Sequence, residues 1–430
     1  MTANNAAKGA KQAGAAAAGN AEKPARGLSL EEARARIQAE LTPVALTERV
    51  SLHAALGRVL GEDLMSRVDV PPHTNSAMDG YAVRGEELPA SGELTLQVVG
   101  DSFAGHPFAG TVGPGQCVRI MTGGVMPRGA DTVVIQEDIT REGEGICIGA
   151  GHRVGQHVRQ AGEDLARGAR ALAAGRRLGA ADLGLIASLG IAEVPVRRAL
   201  RVAFFSTGDE LRSLGEALAE GDIYDSNRYT MHGMLSRFGA EPLDLGVVRD
   251  DPQTLQAALE QAGAIADVVM TSGGVSVGAA DHVRNVLSQA GAINFWKVNM
   301  KPGKPIAFGR LGSGAAFFGL PGNPVSTMVT YYQVVQPALD YLAGATPRLP
   351  LAVMARTMEA LRKTHPRREF VRGILEMDAD GQATVRSAAP QGSGILRSMS
   401  LANCFIVLPE DNRGAQAGES VRVEPFAGFM

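Results

Sequence analysis

The spacing of apolar positions along this chain changes its rhythm several times. Ser29 and Glu32 form an S-x-x-E capping box, and Leu30, Ala33, Ile37 and Leu41 then share one helical face until Pro43. Leu52, Ala55, Leu56 and Val59 keep that spacing and predict a second helix over 51–60. From about 67 to 145 the period shortens to β-like runs at 94–99, 117–120 and 132–135, punctuated by Gly and Pro, as in a small all-β module. Residues 146–198 return to mixed structure with a helix predicted over 180–189, which makes the β module an insertion. From 199 to 345, apolar strands at 200–206, 243–248, 266–271, 294–299 and 315–319 alternate with helices at 226–238, 253–264, 281–290 and 325–342. That alternation predicts a mainly parallel, doubly wound α/β sheet covered on both faces. Beyond 348 only strand-like runs remain, such as 405–408 and 421–423, which predicts a small C-terminal β domain. The expected organisation is a tail at 1–26, an elongated N-terminal domain from 27–66 and 146–198, an inserted β domain at 67–145, an α/β domain at 199–347 and a C-terminal β domain at 348–430.

Composition narrows the class. The chain has 430 residues, 45% hydrophobic and 20% charged, enough for several ordinary globular cores. Its 42 basic and 45 acidic residues give a net charge of −3, which excludes a strongly polybasic nucleic-acid binder. Cys117, Cys147 and Cys404 form no C-x-x-C pair, which argues against a disulfide framework or a thiolate zinc site. No run of eighteen apolar residues predicts a membrane span. Residues 1–26 contain eleven alanines and no Leu, Val, Ile or Phe, so they read as a disordered tail without a secretory signal, on a cytoplasmic protein.

In an open α/β sheet, ligands bind outside the carboxyl ends of the strands. The loops expected there are unusual: Thr207-Gly208-Asp209-Glu210; Arg249-Asp250-Asp251-Pro252; Ser272-Gly273-Gly274-Val275-Ser276-Val277-Gly278 with Asp281 opening the next helix; Lys301-Pro302-Gly303-Lys304; and Leu320-Pro321-Gly322-Asn323-Pro324. The run 272–278 suits an anion cradle, in which successive backbone N–H groups face a phosphate, or an ordinary βα turn. Both standard nucleotide fingerprints are absent. Glu210, Asp250 and Asp281 suit Mg²⁺ beside a phosphate, or helix capping. Lys297 and Lys301, four apart on an extended run, could share a face with Lys304 nearby, and neutralise an anion. Outside this region, Asp79-Gly80, Met121-Thr122-Gly123-Gly124 and Gly162-Glu163-Asp164 read locally as turns. The residues alone therefore predict an α/β enzyme for an anionic, phosphorylated substrate with a divalent cation.

Six motifs extend this picture: Asn75-Ser-Ala-Met-Asp-Gly-Tyr-Ala-Val83, Arg119-Ile-Met-Thr-Gly123, Ser206-Thr-Gly-Asp-Glu-Leu211, Thr271-Ser-Gly-Gly-Val-Ser-Val-Gly278, Lys301-Pro-Gly-Lys-Pro305 and Leu320-Pro-Gly-Asn-Pro-Val-Ser326. In order and content, from about residue 28 to the C-terminus, the chain resembles the molybdopterin molybdenumtransferase family (MoeA and the E domain of gephyrin). The resemblance implies a four-domain elongated homodimer with a barrel-like C-terminal domain. It implies insertion of molybdate into adenylylated molybdopterin with Mg²⁺-dependent release of AMP, in a cleft between protomers. It carries functional roles to Asp79, Thr122, Asp164, Glu210, Asp250, Asp281, Lys297 and Lys301. Arg372 and Ser393 fall where the family holds the molybdate oxyanion. The implied mechanism is positioning: cradle and lysines hold the pyrophosphate, Glu210, Asp250 or Asp281 place Mg²⁺, and Arg372, Ser393 and Lys297 hold molybdate. Transient contact with the molybdopterin adenylyltransferase and with molybdoenzyme targets is also implied. One departure is Ala279, where many relatives carry an acidic residue. Two rival readings stay open: adenylylation of molybdopterin itself, and a non-catalytic scaffold of the same fold.

Overall fold

The computed structural model describes residues 27–274, 281–347, 350–388 and 390–428, so the predicted tail lies outside the described residues. The first helix forms as its sequence requires. In α1, Leu30–Glu40, Ser29 accepts from the Glu32 amide while the Glu32 side chain takes the Ser29 N–H. Leu30, Ala33 and Ile37 are buried, and they pack into the core beneath a sheet that starts some 160 residues later.

The second predicted helix is not there. Residues Thr47–Ser51 form a strand paired antiparallel with Glu193–Arg197, followed by a single 3-10 turn at Leu52–Ala55. Ala55 and Val59 do point inward, but Leu56 is exposed. Gly57, at φ 75°, turns the chain where a helix would have continued. The apolar spacing serves a strand, a turn and a bridge from Leu60 to Val196 instead of one helical face.

A six-stranded sheet occupies residues 80–149, in the order Thr132–Ile135, Gly80–Val83, Gln116–Ile120, Glu93–Ser102, Gly145–Gly149, Ile139–Glu142. Its predicted strands are present, and Gly80–Val83, which directly follows the turn read at Asp79-Gly80 and was not predicted, is one of its fully buried inner strands. Helix α2, Ala180–Ser188, follows as predicted.

The α/β sheet runs Glu241–Val248, Arg201–Thr207, Val268–Ser272, Ala316–Leu320, Pro305–Leu311, Gly291–Lys297. The first four strands are parallel, while Pro305–Leu311 is antiparallel to both its neighbours. This strand was missed because Pro305 opens it and Gly309 interrupts its apolar run. Since Gly291–Lys297 opposes Pro305–Leu311, it points the same way as the parallel strands, and all five expected loops leave one edge. One face is covered by α4, Pro252–Ile265, and α5, Asp281–Ala290. On the other lie α1, α3 (Ser226–Phe238), α6 (Pro324–Thr330) and α7 (Gln336–Leu342).

The helix predicted over 325–342 is broken by a π turn at Tyr331–Val335. Pro337 is the cause: it has no N–H to give the Gln333 carbonyl, and its ring crowds that oxygen. Arg34 of α1 replaces the missing donor, with Nε 2.6 Å from the Gln333 carbonyl oxygen and a second nitrogen 2.8 Å from Gln333 Oε1. The Gln333 amide in turn donates to Glu424 Oε2 at 3.1 Å, so one buried side chain ties three distant parts of the chain together.

Strands Val353–Thr357, Ala383–Ser387, Arg368–Met377, Cys404–Leu408 and Ser420–Pro425 pair in a closed circuit, a small five-stranded barrel. Phe370, Phe405, Val407 and Phe426 of the barrel sit in the same core as α6 and α7, so barrel and α/β sheet are packed directly together. No described helix is long and apolar enough to cross a membrane.

Candidate functional site

The carboxyl edge of the α/β sheet assembles from neighbouring strand ends. Thr207 ends one strand, and its hydroxyl donates a short hydrogen bond to Asp250 Oδ1 on the loop after the adjacent strand. The Asp250 amide faces Asp209 Oδ1 at 3.5 Å. Glu210 is exposed, and its carboxylate folds back over Gly208, where a Cβ would lie 2.6 Å from Glu210 Oε2. Asp209, Glu210 and Asp250 thus line one side of the edge with hard oxygen ligands. Among the described residues no three acidic, His or Cys side chains converge as a ready-made metal cluster. The Asp281 side chain lies outside the described residues, as do Ser276 and Gly278 of the expected cradle.

Ser272 and Gly273 begin that cradle. The Ser272 hydroxyl is directed inward: it accepts from Asn227 Nδ2 at 2.7 Å and donates toward the Pro321 carbonyl at 3.5 Å. It therefore braces the edge and does not itself point to solvent. Gly273 has φ 99°, and a Cβ there would lie 2.4 Å from the Thr207 carbonyl oxygen. Gly274 shares the left-handed conformation, at φ 68°. Pro321 and Asn323 flank Gly322, which lies against Gly273, and Pro324 sits at the first turn of α6.

The barrel reaches this edge through the segment at 390–396. The Ser393 carbonyl accepts from the Val325 amide in the first turn of α6 at 3.1 Å. Arg372, on the barrel strand Arg368–Met377, is 2% exposed. Its Nε donates to Ser398 Oγ at 3.1 Å, and its terminal nitrogens donate to the carbonyls of Phe370 at 3.4 Å and Gly392 at 3.2 Å. Every one of these acceptors is neutral, and Arg372 forms no ion pair among the described residues. Burial pulls its pKa down to about 10, which leaves the guanidinium cationic near neutrality. Glu369 is the carboxylate that acts on it electrostatically, and that carboxylate is already held by Lys301, so Arg372 has no ion-pair partner of its own among the described residues.

The lysines do not behave as one extended face. The strand ends at Lys297, the chain turns at Val298–Asn299 with the Val298 amide bonded to the Lys304 carbonyl, and Met300–Lys301 then joins the barrel sheet beside Arg368 and Glu369. Lys301 Nζ is 2.8 Å from Glu369 Oε1, and the other oxygen of that buried carboxylate is 3.2 Å from His365 Nε2. Burial holds the His365 imidazole below its usual pKa against the pull of Glu369. Lys297 and Lys304 are exposed. Glu369 and His365 were invisible in the sequence because they lie far along the chain from Lys301; so was Asn227, which reads only as the first turn of α3.

Asp79 and Thr122 meet elsewhere, at the rim of the 80–149 sheet. The Thr122 amide and hydroxyl each donate to Asp79 Oδ1 at 2.8 Å, and these two bonds hold the Asp79 carboxyl below the usual range. Asp164 lines a separate cleft of about 450 Å³ with Asn75, Arg159 and Glu163. Among the described residues no hydrogen bond or ion pair links Asp79, Thr122 or Asp164 to residues 199–345. A cavity of about 520 Å³ between α1 and α7 contains none of the expected site residues.

Comparison with known proteins accounts for this combination. Residues 28–190 match the MoeA N-terminal region (domain I and II), 203–341 a probable molybdopterin binding domain, and 354–426 the MoeA C-terminal region (domain IV). The molybdopterin molybdenumtransferase of Haemophilus influenzae is 43% identical over 401 residues, covering 93% of this chain and 98% of that protein. Gephyrin of Dictyostelium discoideum is 33% identical over 426 residues, covering 87% of this chain and 59% of that protein. The crystal structure of the molybdopterin biosynthesis moeA protein from Pyrococcus horikoshii OT3 superposes with a TM-score of 0.81 at 30% identity, covering 93% of this chain and 100% of that one. With its three regions in family order and its length matched almost end to end, this chain belongs to the molybdopterin molybdenumtransferase (MoeA) family.

Proposed function

We propose that this protein is a molybdenum insertase of molybdenum cofactor biosynthesis, which places molybdate into adenylylated molybdopterin and releases AMP. The observation that carries the reading is Arg372, a buried guanidinium that forms no ion pair among the described residues, on a strand whose barrel abuts the sheet edge. A tetrahedral oxyanion supplies the missing charge, and Arg presents several donors to it at once. Molybdate is the substrate assigned there, with Ser393 and Lys297 as its other contacts. The cradle from Ser272 onward, with Lys301 and Lys304, takes the pyrophosphate.

The site also suits Mg²⁺. Hard carboxylate oxygens beside a phosphate are the donors that Mg²⁺ takes while keeping water ligands. Glu210 and Asp250, with Asp281, would hold the ion, and it would polarise a phosphoryl oxygen. The protein's own part is to align the phosphoanhydride against these acids and to keep the oxyanion next to it, so that cleavage and insertion are coupled.

The reading includes a homodimer. Thr122 and Asp164 are exposed and Asp79 is half-buried, and among the described residues none has a bonded link to the α/β edge of its own chain; this supports a place across a cleft, facing the partner's edge.

The test is direct. Purified protein is incubated with adenylylated molybdopterin, Mg²⁺ and molybdate, and AMP and pterin-bound molybdenum are followed together. AMP that appears only with molybdate, in step with bound molybdenum, is the expected result. AMP release without molybdate, or ATP consumption with molybdopterin, would overturn it.

A further inference from the structure

The floor of the sheet edge carries a polar atom that the described residues leave without a partner. Asn227, the second residue of the 13-residue helix α3, is 9% exposed. Its Nδ2 donates to Ser272 Oγ and to the Gly322 carbonyl, both at 2.7 Å. The second bond fixes the amide's orientation, because a carbonyl oxygen can only accept. Oδ1 is therefore a buried acceptor, and no described residue donates to it. Ser272 cannot help, since its hydroxyl accepts from Asn227 and is turned toward Pro321. A buried acceptor without a donor is uncommon in a native protein, and a bound group that brings the donor is one explanation of it.

The missing donor can be narrowed by chemistry. Phosphoanhydride and molybdate oxygens accept hydrogen bonds and are repelled by a carbonyl oxygen. The N-terminus of α3 is no anion site either. The buried carboxylate of Asp225 already caps it, accepting from the Arg228 amide at 3.2 Å and from Ser206 Oγ at 3.0 Å. Of the groups an organic phosphate substrate offers, only an N–H or an O–H can satisfy Oδ1.

We propose that Asn227 is a substrate-binding residue whose Oδ1 accepts a hydrogen bond from an N–H or O–H group of the substrate. The assignment rests on the insertase reading. It divides the edge in two: the cradle and lysines take the phosphates, while Asn227, Ser272 and Gly322 seat a neutral donor. In adenylylated molybdopterin that donor is either a ribose hydroxyl or the amide edge of the pterin.

Calorimetric titration of the full-length protein and of Asn227→Ala with AMP, 2′,3′-dideoxy-AMP and molybdopterin distinguishes the sources. If the donor is a ribose hydroxyl, the wild type prefers AMP over its dideoxy analogue by about tenfold and the variant loses that preference. If it is the pterin, the variant keeps its affinity for AMP and binds molybdopterin about tenfold more weakly. Equal loss for all three ligands would make Asn227 a structural brace, and no change would mean that water fills the place; either overturns the assignment. A wild type that binds none of the three overturns the insertase reading as well. Should the variant not fold, a wild-type crystal structure with AMP and one with molybdopterin decide: a ligand donor within hydrogen-bond distance of Oδ1 in either supports the assignment, and water or phosphate at Oδ1 in both rejects it.

Discussion

Lys301 and Glu369 meet where the α/β sheet joins the barrel, with the Lys301 ammonium 2.8 Å from one oxygen of a carboxylate that is 6% exposed. Their backbones pair as well, Lys301 opposite Glu369 in a parallel bridge. Glu369→Gln keeps the shape and removes the charge. It should lower the stability read from urea unfolding by about 1–3 kcal/mol, because the ammonium loses a buried partner. Turnover should fall further than stability accounts for, since the freed Lys301 no longer has a fixed direction. Lys301→Met should cost as much turnover, and the double variant no more than either alone.

His365 gives the same junction a pH dependence. Its folded pKa lies below the unfolded value of about 6.5, so the unfolded chain binds more protons in the window just under that value. Stability contributed by the neutral imidazole is present above about pH 6.5 and is lost as pH falls through the window. Urea midpoints at pH 7.5 and 5.5 should therefore differ more for the wild type than for His365→Gln. Equal differences would remove His365 from the account.

Arg372→Lys should separate charge from geometry. The ammonium keeps the cation but cannot span Ser398 and the carbonyls of Phe370 and Gly392. The KM for molybdate should rise by about tenfold or more, while AMP binding at the sheet edge changes little. Arg372→Met should abolish molybdate-dependent AMP release. Ser398→Ala, which removes one acceptor of the guanidinium, should give a smaller loss in the same direction.

Two glycines of the sheet edge, one in the cradle and one beside it, should respond differently to one methyl group. Gly273→Ala forces a left-handed residue against the Thr207 carbonyl and should destabilise the protein by about 1–3 kcal/mol. At Gly322 the new Cβ would find its nearest neighbour, the Gly273 Cα, at 3.7 Å, an ordinary contact. Gly322→Ala should therefore keep the wild-type urea midpoint and weaken ligand binding, because the methyl stands at the edge where the ligand must approach.

Thr122→Val tests the pair at the rim of the other sheet. It removes the hydroxyl bond to Asp79 and leaves the amide bond. The Asp79 pKa should move part of the way back toward an ordinary carboxylate, visible by NMR titration. Thermal stability should hardly change at this exposed site, and turnover should fall.

The sequence was most legible where a local rule has one outcome. The capping box starts α1 where it should, and the apolar runs at 201–207, 268–272 and 316–320 could only be inner strands. It misled where two elements satisfy one pattern: Leu52, Ala55 and Val59 fit a helix, yet Gly57 and pairing with Glu193–Arg197 made a strand and a turn. The loops of the candidate site were found because strand direction sends them to one edge. Asn227, Glu369 and His365 were missed because each owes its importance to a partner 45 to 68 residues away, or to a neighbour that itself depends on one. Lys297 and Lys301 were read as able to share a face on one extended run, which a bend at Asn299 interrupts.

The seating of α1 bears on how the chain can be made. Its apolar face belongs to a core closed by α6 and α7, and Arg34 waits for the carbonyl that Pro337 leaves free. On the ribosome, about 300 residues must follow α1 before that surface exists, which at about 5–20 residues per second is some tens of seconds. The 80–149 sheet can complete itself within that interval while α1 stays exposed. The opening helix is thus held in reserve during synthesis.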